Sequence, residues 1–359
     1  MFRIILSVLI IIHAFIHLMG VAKAFGYGEI QGLSKPVSKT KGFLWLLAML
    51  LLVAGGLLYM GNMNAWWIIA ASGAMLSQYL IFTAWKDAKY GTLLNLFIVL
   101  AAIAGWSSTG FYHEYREQVS AFIDQGIAHK NLLSEQDISD LPVPVKKYLR
   151  YTGSLGKPKI ENFRVVFSGR IRKDESSAWM PFTSEQYNFM DAAARLFFMK
   201  ATMMHLPVAG YHCFLNGHAF MDIRLFSLFK VQYQSGNEMD TAETVTFFND
   251  MCCMAPATLI DKRIKWMETD SNTVSASFTN NSITVSATLY FNERGELVNF
   301  VSGDRYATTG KNTMEKLRWS TPLKDYKEVN GYRLAGYADA VYTYPSGDFC
   351  YGQFYTKNV

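Results

Sequence analysis

The chain has 359 residues, of which half are hydrophobic and 18% are charged, and its formal net charge is +5 at pH 7. The mean hydropathy of +0.08 averages two parts of different chemistry: residues 1–140 carry 9 basic and 8 acidic side chains, whereas residues 141–359 carry 25 and 21. The positive charge of the second part is scattered rather than arranged in a stripe, which argues against a nucleic-acid-binding surface.

Four apolar segments occupy the first 112 residues. They are Ile4–Val21, Phe43–Met60, Ala65–Ala84 and Leu93–Tyr112. Each has about 18 to 20 residues, close to the ~20 that a helix needs to cross a hydrocarbon core of ~30 Å. The sequence therefore predicts a four-helix transmembrane domain over residues 1–112.

The lysines of the connecting segments lie on one side of this predicted bundle. Residues 22–42 hold four lysines and residues 85–92 hold two, whereas Gly61–Asn64 between the second and third segments has no charge. Since short loops rich in Lys and Arg stay in the cytoplasm, we expect a multi-pass protein of the bacterial inner (cytoplasmic) membrane. Its C-terminal region is then extracytoplasmic, in the periplasm.

A cleavable signal peptide is the competing interpretation of the N-terminus, because Ala22-Lys23-Ala24 follows the first apolar stretch. Cleavage there would place Lys35, Lys39 and Lys41 outside, against the charge rule.

His13 and His17 are four residues apart on the first predicted helix and therefore share one face. Polar residues inside a span are costly and are candidates for function. The pair can ligate haem or a metal, contact a quinone or transfer protons. Alternatively, the two rings bond to polar groups of other helices and hold the bundle together. No cofactor is predicted, and haem or metal at these two residues is the weaker alternative.

Residues 113–140 are predicted to form a helical linker. A charged stretch begins at His113, and an amphipathic run continues the fourth helix to about Ile127. Residues 131–140 are typical of a linker, which Pro142 and Pro144 stiffen by favouring extended geometry before each proline. A short helix over Val145–Tyr151 follows.

From Phe163 onward the hydrophobic period changes to two. Apolar and polar residues alternate in Phe163–Arg172 and again in Ile283–Phe291, as expected of strands with one face on a core. Turn dipeptides recur between such runs, for example Asn216-Gly217 and Asn330-Gly331. We expect about ten strands in an antiparallel meander.

One helix interrupts the strands. Asp240 and Glu243 form a capping-box pattern that predicts a helix over Thr241–Met254, closed by Pro256. The predicted fold class is thus an α+β membrane protein: a transmembrane four-helix bundle and, over residues 141–359, an extracytoplasmic β-rich domain. That domain is a large curved antiparallel sheet, half-barrel-like, with a packed helix.

Catalytic motifs are lacking in the sequence: it has no GxSxG, HExxH or P-loop pattern, and its four cysteines lack metal-site spacing. A hairpin at Asn216-Gly217 pairs His212 with Met221 and Leu215 with His218. The two histidines are therefore not cross-strand partners, and a metal site would need further ligands from elsewhere; the sequence favours surface or interface histidines. The carboxylates of Glu238, Asp240 and Glu243 suggest acid–base work, but the capping box already explains two of them. The sequence favours a non-enzymatic role.

The β-rich domain has an excess of apolar residues, including many aromatics and methionines, which suit a surface that accepts apolar ligands of varied shape. We expect a membrane-anchored binding protein whose partners are the bilayer and a lipid or acylated ligand held in an apolar groove. The predicted lining is Trp179, Phe182, Phe248, Met251 and Trp319. Two alternatives remain: a redox or ion-handling protein using His13 and His17, and a docking scaffold or sensor that binds another envelope protein.

Several stretches resemble an uncharacterised bacterial family with four spans and a domain of unknown function. They are Ile12–His17, Leu141–Leu149, Trp179–Phe182 with Gln186, Glu238–Asp240, Gly303–Tyr306, Trp319 with Pro322 and Tyr326, and Gly347–Phe349. The chain has Cys253-Met254 where the family pattern has a tryptophan before the helix-ending proline. The element order is similar to the lipoprotein-carrier (LolA/LolB) half-barrel, and this resemblance implies a concave apolar face that holds acyl chains.

Overall fold

The computed structural model describes residues 2–28, 30–124, 131–268, 270–310 and 313–359. The chain divides into two compact units, Met1–His113 and Glu114–Val359. The predicted end of the fourth helix near Ile127 lies outside the described residues.

The first unit is helical. Its helices are α1 (Phe2–Ile16), α2 (Leu18–Phe25), α3 (Lys39–Met60), α4 (Trp66–Thr83), the short α5 (Trp85–Ala88) and the first part of α6 (Gly91–Ile123). Among the described residues, four helical stretches are long and apolar enough to cross a membrane: Arg3–Phe25, Lys39–Met60, Trp66–Thr83 and Gly91–Ile123. The four apolar helices predicted from the sequence are therefore confirmed.

Small residues allow the helices of this unit to approach closely. A Cβ at Gly55 would lie 2.9 Å from the backbone of Ala70 on α4, and a Cβ at Gly20 would overlap the ring of Trp45 on α3. Both positions need glycine because the neighbouring helix occupies the space of a side chain.

The second unit contains a 13-stranded antiparallel sheet, in the order β6-β5-β4-β3-β2-β1-β13-β12-β11-β10-β9-β8-β7. The strands are β1 (Asn162–Ile171), β2 (Met180–Phe189), β3 (Ala194–Met203), β4 (Leu206–Leu215), β5 (His218–Leu225), β6 (Phe229–Ser235), β7 (Ile264–Glu268), β8 (Thr273–Asn280), β9 (Ile283–Phe291), β10 (Leu297–Thr308), β11 (Met314–Val329), β12 (Tyr332–Tyr344) and β13 (Gly347–Asn358). The predicted curved antiparallel half-barrel sheet is confirmed, with thirteen strands instead of about ten.

The chain enters this sheet at β1, next to the central strand β13, and builds one arm outward to the edge strand β6. It then crosses to the opposite edge, β7, through α8 (Asn237–Met254) and a 3₁₀ turn (Pro256–Ile260). The crossing places α8 between the two arms, where it packs on β5 and on β9 and β10. We call the sheet face that α8 covers the concave face.

The predicted alternation is confirmed where it was clearest. Phe163, Val165 and Phe167 on β1 and Val285 and Leu289 on β9 are buried, as expected for one face on a core. The hairpin register is also as predicted, because His212 pairs with Met221 and Leu215 with His218.

The predicted capping box is wrong. α8 begins at Asn237, four residues before the predicted start, and no side chain caps its N-terminus. Asp240 Oδ1 instead accepts a hydrogen bond from the backbone N–H of Ala219 (2.6 Å), and Glu243 pairs with Arg195. The helix is buried on nearly every side. Its polar side chains therefore bond to groups on other elements and not to the free N–H groups of its own first turn.

The segments before β1 pack on the sheet. Tyr115, near the end of α6, is fully buried against Phe198 and Tyr211, on the sheet face opposite α8. Leu133 and Ile138, in the stretch expected to be a linker, are fully buried in the core of the second unit.

The short helix α7 runs over Val143–Tyr151. Its Tyr148 hydroxyl donates to the carbonyl oxygen of Cys252 at 2.9 Å, which satisfies one of the free carbonyls at the end of α8.

Candidate ligand-binding site

The five residues predicted to line a groove occupy three places. Phe248 and Met251 on α8 are fully buried, and Phe248 stacks on Phe278 with ring centroids 5.4 Å apart. Trp319 on β11 joins the same cluster, because both Phe248 and Trp319 make edge contacts with Phe300.

The other two residues lie apart from this cluster. Phe182 on β2 is buried on the concave face in edge contact with Phe354. Trp179, which precedes β2, is half-buried between the guanidinium groups of Arg170 and Arg172, 4.8 and 4.7 Å from its ring. Phe163 faces the core, and Arg170 lies on the opposite face of β1 because side chains alternate along the strand. Trp179, which contacts Arg170, is therefore on the face away from the core.

A cluster of buried charged groups lies between α8 and the central strands. Arg195 on β3 donates from Nε to Asp250 Oδ2 at 2.8 Å, from one terminal nitrogen to Glu243 Oε2 at 2.9 Å, and from the other to Gln186 Oε1 at 2.8 Å. Gln186 and Asn188 on β2 also donate to Asp250. Every nitrogen of the Arg195 guanidinium group therefore has an acceptor within the core.

Arg305 adds a second guanidinium group to this cluster. Its Nη1 lies 3.6 Å from Glu243 Oε1 and its charge lies 5.3 Å from the ring centre of Trp319. Its Nε is buried and has no hydrogen-bond partner among the described residues. A buried donor without an acceptor is costly, and native structures contain few of them.

His212 on β4 is the third basic group beside Glu243. Its Nε2 is likewise buried without a partner in the part of the chain that the structure describes, and its ring makes an edge contact with Phe197. Burial, with a smaller contribution from the charges of Arg195 and Arg305 and against the opposing effect of Glu243, lowers the pKa of His212 to about 4. The imidazole is thus neutral at pH 7.

The two acids of the cluster shift in opposite directions. Burial would raise the pKa of Glu243, but the guanidinium groups of Arg195 and Arg305 hold it below its ordinary value. Burial raises the pKa of Asp250 above its ordinary value, although Arg195 opposes the change. Glu243 is therefore held in its charged form, and Arg195 and Arg305 share it as their negative partner.

A bulge in β10 directs Arg305 into this cluster. Where β10 pairs with β11, Ser302 is opposite Trp319 and Arg305 is opposite Leu317. Between these two pairs β10 therefore has one residue more than β11. The extra residue reverses the alternation, so that Arg305 faces inward while Asp304 accepts from the backbone of Ser286 and pairs with Lys316. Sequence analysis missed Arg305 because strict alternation after Ser302 would point Asp304 inward.

The residues of the concave face next to the cluster are less deeply buried than those under α8. Four side chains there have a relative exposure of 4–9%: Phe182, Phe197, Met199 and Tyr342. The relative exposure of Phe278 and Phe300 under α8 is 0%. Tyr351 and Phe354 on β13 are half-buried in the same region. We call these six residues the open face: Phe182, Phe197, Met199, Tyr342, Tyr351 and Phe354.

In the helical unit, His13 and His17 bond to protein groups. His13 Nε2 lies 2.9 Å from Asn95 Oδ1, and His17 Nε2 lies 2.8 Å from Ser77 Oγ. His17 Nδ1 donates to the carbonyl oxygen of His13. Three of the four ring nitrogens are thus engaged in helix–helix or intrahelical hydrogen bonds, as the packing alternative predicts.

Comparisons with known proteins place the chain in a family. Residues 131–354 match a family of unknown function, DUF6544. The chain belongs to this family. This confirms the resemblance to an uncharacterised family.

Among solved structures, a LolA superfamily protein from Nitrosomonas europaea is similar over 60% of this chain and 93% of its own, with 10% identity and a TM-score of 0.35. No curated protein matches the chain. Since the DUF6544 family has no assigned function, the functional argument depends on the geometry of the site.

Proposed function

We propose that this DUF6544 protein is a membrane-anchored binding protein whose β-rich unit holds a lipid or an acylated ligand on the open face. One observation carries the proposal: within the described part of the chain, Arg305 Nε and His212 Nε2 are buried without a hydrogen-bond partner, beside apolar side chains that are less deeply buried than those under α8. An apolar pocket with a few convergent polar groups is the usual form of a small-molecule site.

The chemistry of the site indicates which part of the ligand lies where. Arg305 is positively charged and His212 is neutral, so an ester carbonyl, carboxylate or phosphate oxygen satisfies the free Nε of Arg305. The aromatic and methionine side chains of the open face then contact the acyl chain.

The predicted lining residues take unequal parts in this proposal. Phe182 lies on the open face, and Trp319 lies beside Arg305, with its Nε1 donating to the Tyr351 hydroxyl at 3.3 Å. Phe248 and Met251 are covered by the sheet, so a ligand reaches them only when α8 moves away from the concave face. Trp179 remains a candidate for the rim.

The membrane part of the proposal is supported by the four apolar helices and by the lysines of residues 22–42 and 85–92. It places the protein in the bacterial inner membrane with the β-rich unit in the periplasm. The test uses single cysteines at exposed Lys39 and Ser346 in a Cys350→Ser background, since Cys213, Cys252 and Cys253 are buried.

In intact spheroplasts, a membrane-impermeant maleimide should label Ser346→Cys and should not label Lys39→Cys. Lys39→Cys should be labelled only after the membrane is permeabilised. The reverse pattern would overturn the orientation.

Ligand binding is tested by native mass spectrometry of the full-length protein released from detergent, followed by lipid extraction. We expect bound lipid or acylated species on the wild type and on Arg294→Met, a control on an exposed arginine. Arg305→Lys retains the charge but lacks Nε, and Arg305→Met lacks both. Both variants should lose at least about tenfold of the bound species, because the group that binds the ligand oxygen is gone.

Two outcomes would reject the proposal. One is a wild-type protein free of lipid in several detergents. The other is equal lipid on wild type and Arg305→Lys, with both proteins folded by circular dichroism.

A docking scaffold is the second candidate function, favoured by a separate exposed apolar surface. The side chains of Met204, Leu228, Phe229 and Val231 are exposed around the β3–β4 and β5–β6 turns and along β6. Since β6 is an edge strand, its free backbone groups can pair with another strand.

A further inference from the structure

The helical unit contains a cavity of about 290 Å³ at one end of its bundle. Most of its lining is apolar. The larger apolar side chains are Ile16, Met19, Leu33, Trp45, Ile81 and Leu94. The polar side chains that face it include those of His13, His17 and Asp87. Such a cavity suits a small apolar molecule with one polar group.

Specific contacts hold the segment that borders this cavity. Asp87 Oδ2 accepts from both the backbone N–H and the hydroxyl of Ser34, each at 2.8 Å. Lys23 Nζ donates to the carbonyl oxygens of Ile30 and Leu33. The stretch from Ile30 to Ser34 is thereby fixed against α2 and α5. This side of the cavity is therefore formed by a segment that hydrogen bonds hold in place.

A chain of hydrogen bonds defines which nitrogen of His13 carries the proton. Asn95 Nδ2 donates to Ser77 Oγ at 3.0 Å and to Gln78 Oε1 at 3.1 Å. The amide oxygen of Asn95 therefore faces His13 and accepts from its Nε2 at 2.9 Å. Since a neutral imidazole has one N–H, Nδ1 of His13 is the acceptor.

Among the residues that the structure describes, Nδ1 of His13 has no donor to accept from. The residue is 2% exposed, and this nitrogen has no hydrogen-bond partner among the described residues. His17 differs, because its Nδ1 donates to the carbonyl oxygen of His13 and its Nε2 bonds to Ser77. His13 lines the cavity, and its Nδ1 is a buried acceptor that a ligand with a donor would satisfy.

We propose that this cavity binds a membrane-soluble phenol or hydroquinone whose ring hydroxyl donates to Nδ1 of His13. A quinone presents only carbonyl acceptors and leaves this nitrogen unpaired. A metal ion finds one free imidazole nitrogen here, and no cluster of three or more His, Cys, Asp or Glu residues occurs in the described part of the chain. The site lies in the helical unit and is separate from the site proposed on the open face.

The test compares 4-heptylphenol with its methyl ether, 4-heptylanisole, which has the same chain but no donor. Binding to the full-length protein in nanodiscs is measured by calorimetry against empty nanodiscs. We expect one saturable site for the phenol, with a Kd at least about tenfold below that for the ether. In His13→Phe, which keeps a ring but has no acceptor, this ratio should fall to about one.

Two further variants separate the proposal from a folding defect. Ala88→Trp fills the cavity without touching the hydrogen bonds of His13 and should abolish binding of both compounds. Phe82→Ala, an exposed residue outside the cavity, should bind like the wild type. The proposal is overturned if phenol and ether bind equally to the wild type, or if folded His13→Phe or Ala88→Trp retains the preference for the phenol.

Discussion

Arg305 on β10 and Glu243 on α8 lie 3.6 Å apart inside the core because a bulge reverses the alternation of the strand just before Arg305. Glu243 is thereby shared between this arginine and Arg195, whose Nη1 donates to it at 2.9 Å. The concave face consequently carries buried charged groups beside its apolar side chains, and burying charge is costly unless the charges are paired.

Arg195→Met should destabilise the β-rich unit by roughly 3–5 kcal/mol, because Glu243 and Asp250 lose their shared partner in the core. The control Arg294→Met removes an exposed arginine from Glu296, whose carboxylate keeps Tyr151 and Asn292 as donors, and should cost at most about 1 kcal/mol. Chemical denaturation of the full-length protein in detergent, followed by hydrogen exchange of peptides from β2 and β3, measures both. Equal stability of the two variants would contradict the assigned role of Arg195.

The stability of the β-rich unit should decrease as the pH falls from about 6.5 to about 4. The unfolded chain protonates His212 below its ordinary pKa of 6.5, whereas burial keeps the folded-state pKa at about 4, so acid in this window favours unfolding. The difference between the unfolded-state and folded-state pKa of His212 corresponds to about 3 kcal/mol of folding stability. His212→Phe should flatten this part of the pH profile, whereas His205→Asn in the exposed β3–β4 turn should not. An unchanged slope in His212→Phe would contradict the prediction.

Turn substitutions at the tip of the β3–β4 hairpin should stabilise the protein. Met204 and His205 have φ values of +47° and +69°, a conformation that Asn and Gly adopt with less strain. Met204→Asn with His205→Gly should raise the free energy of unfolding by about 1 kcal/mol. If this tip serves docking, the same variant will lose binding of the partner while gaining stability. A lower urea midpoint would show that the turn is not strained.

Self-association through the edge strand should depend on Phe229. This side chain is 60% exposed on β6, which has a free edge. Phe229→Lys should lower the fraction of protein in oligomers, because a charge on an edge strand opposes strand pairing. Tyr355→Lys is the matched control, since Tyr355 is 44% exposed on the central strand β13. Light scattering of full-length protein compares them, and an equal effect of both substitutions would exclude edge pairing.

The parts of the fold that follow from local pattern were predicted from the sequence. Four apolar segments of spanning length indicated the helices, and a period of two indicated strands such as β1 and β9, because these signals depend only on neighbouring residues. The start of α8 was misplaced because Asp240 and Glu243 match a capping box locally while their partners, Ala219 and Arg195, come from distant strands.

The candidate site could be predicted only in part. Phe182 and Trp319 were predicted to line a ligand-binding groove, and they lie on or beside the open face. Arg195 and Arg305 were not, because an arginine in an alternating strand is ordinarily on the exposed side. The hairpin register of His212 was correct, but His212 was not predicted as a site residue, because its proximity to Glu243 depends on how α8 crosses the sheet.

The sequence by itself determined that the chain has a helical part of membrane-spanning composition and a β-rich part with one apolar face, since periodicity and composition are local properties. The tertiary structure alone decided that Arg195, His212, Glu243, Asp250 and Arg305 meet beneath one apolar surface. That meeting requires a one-residue bulge in β10 and a helix that bridges the two arms of a curved sheet. Both are set by packing between residues far apart in the chain, which no local pattern encodes.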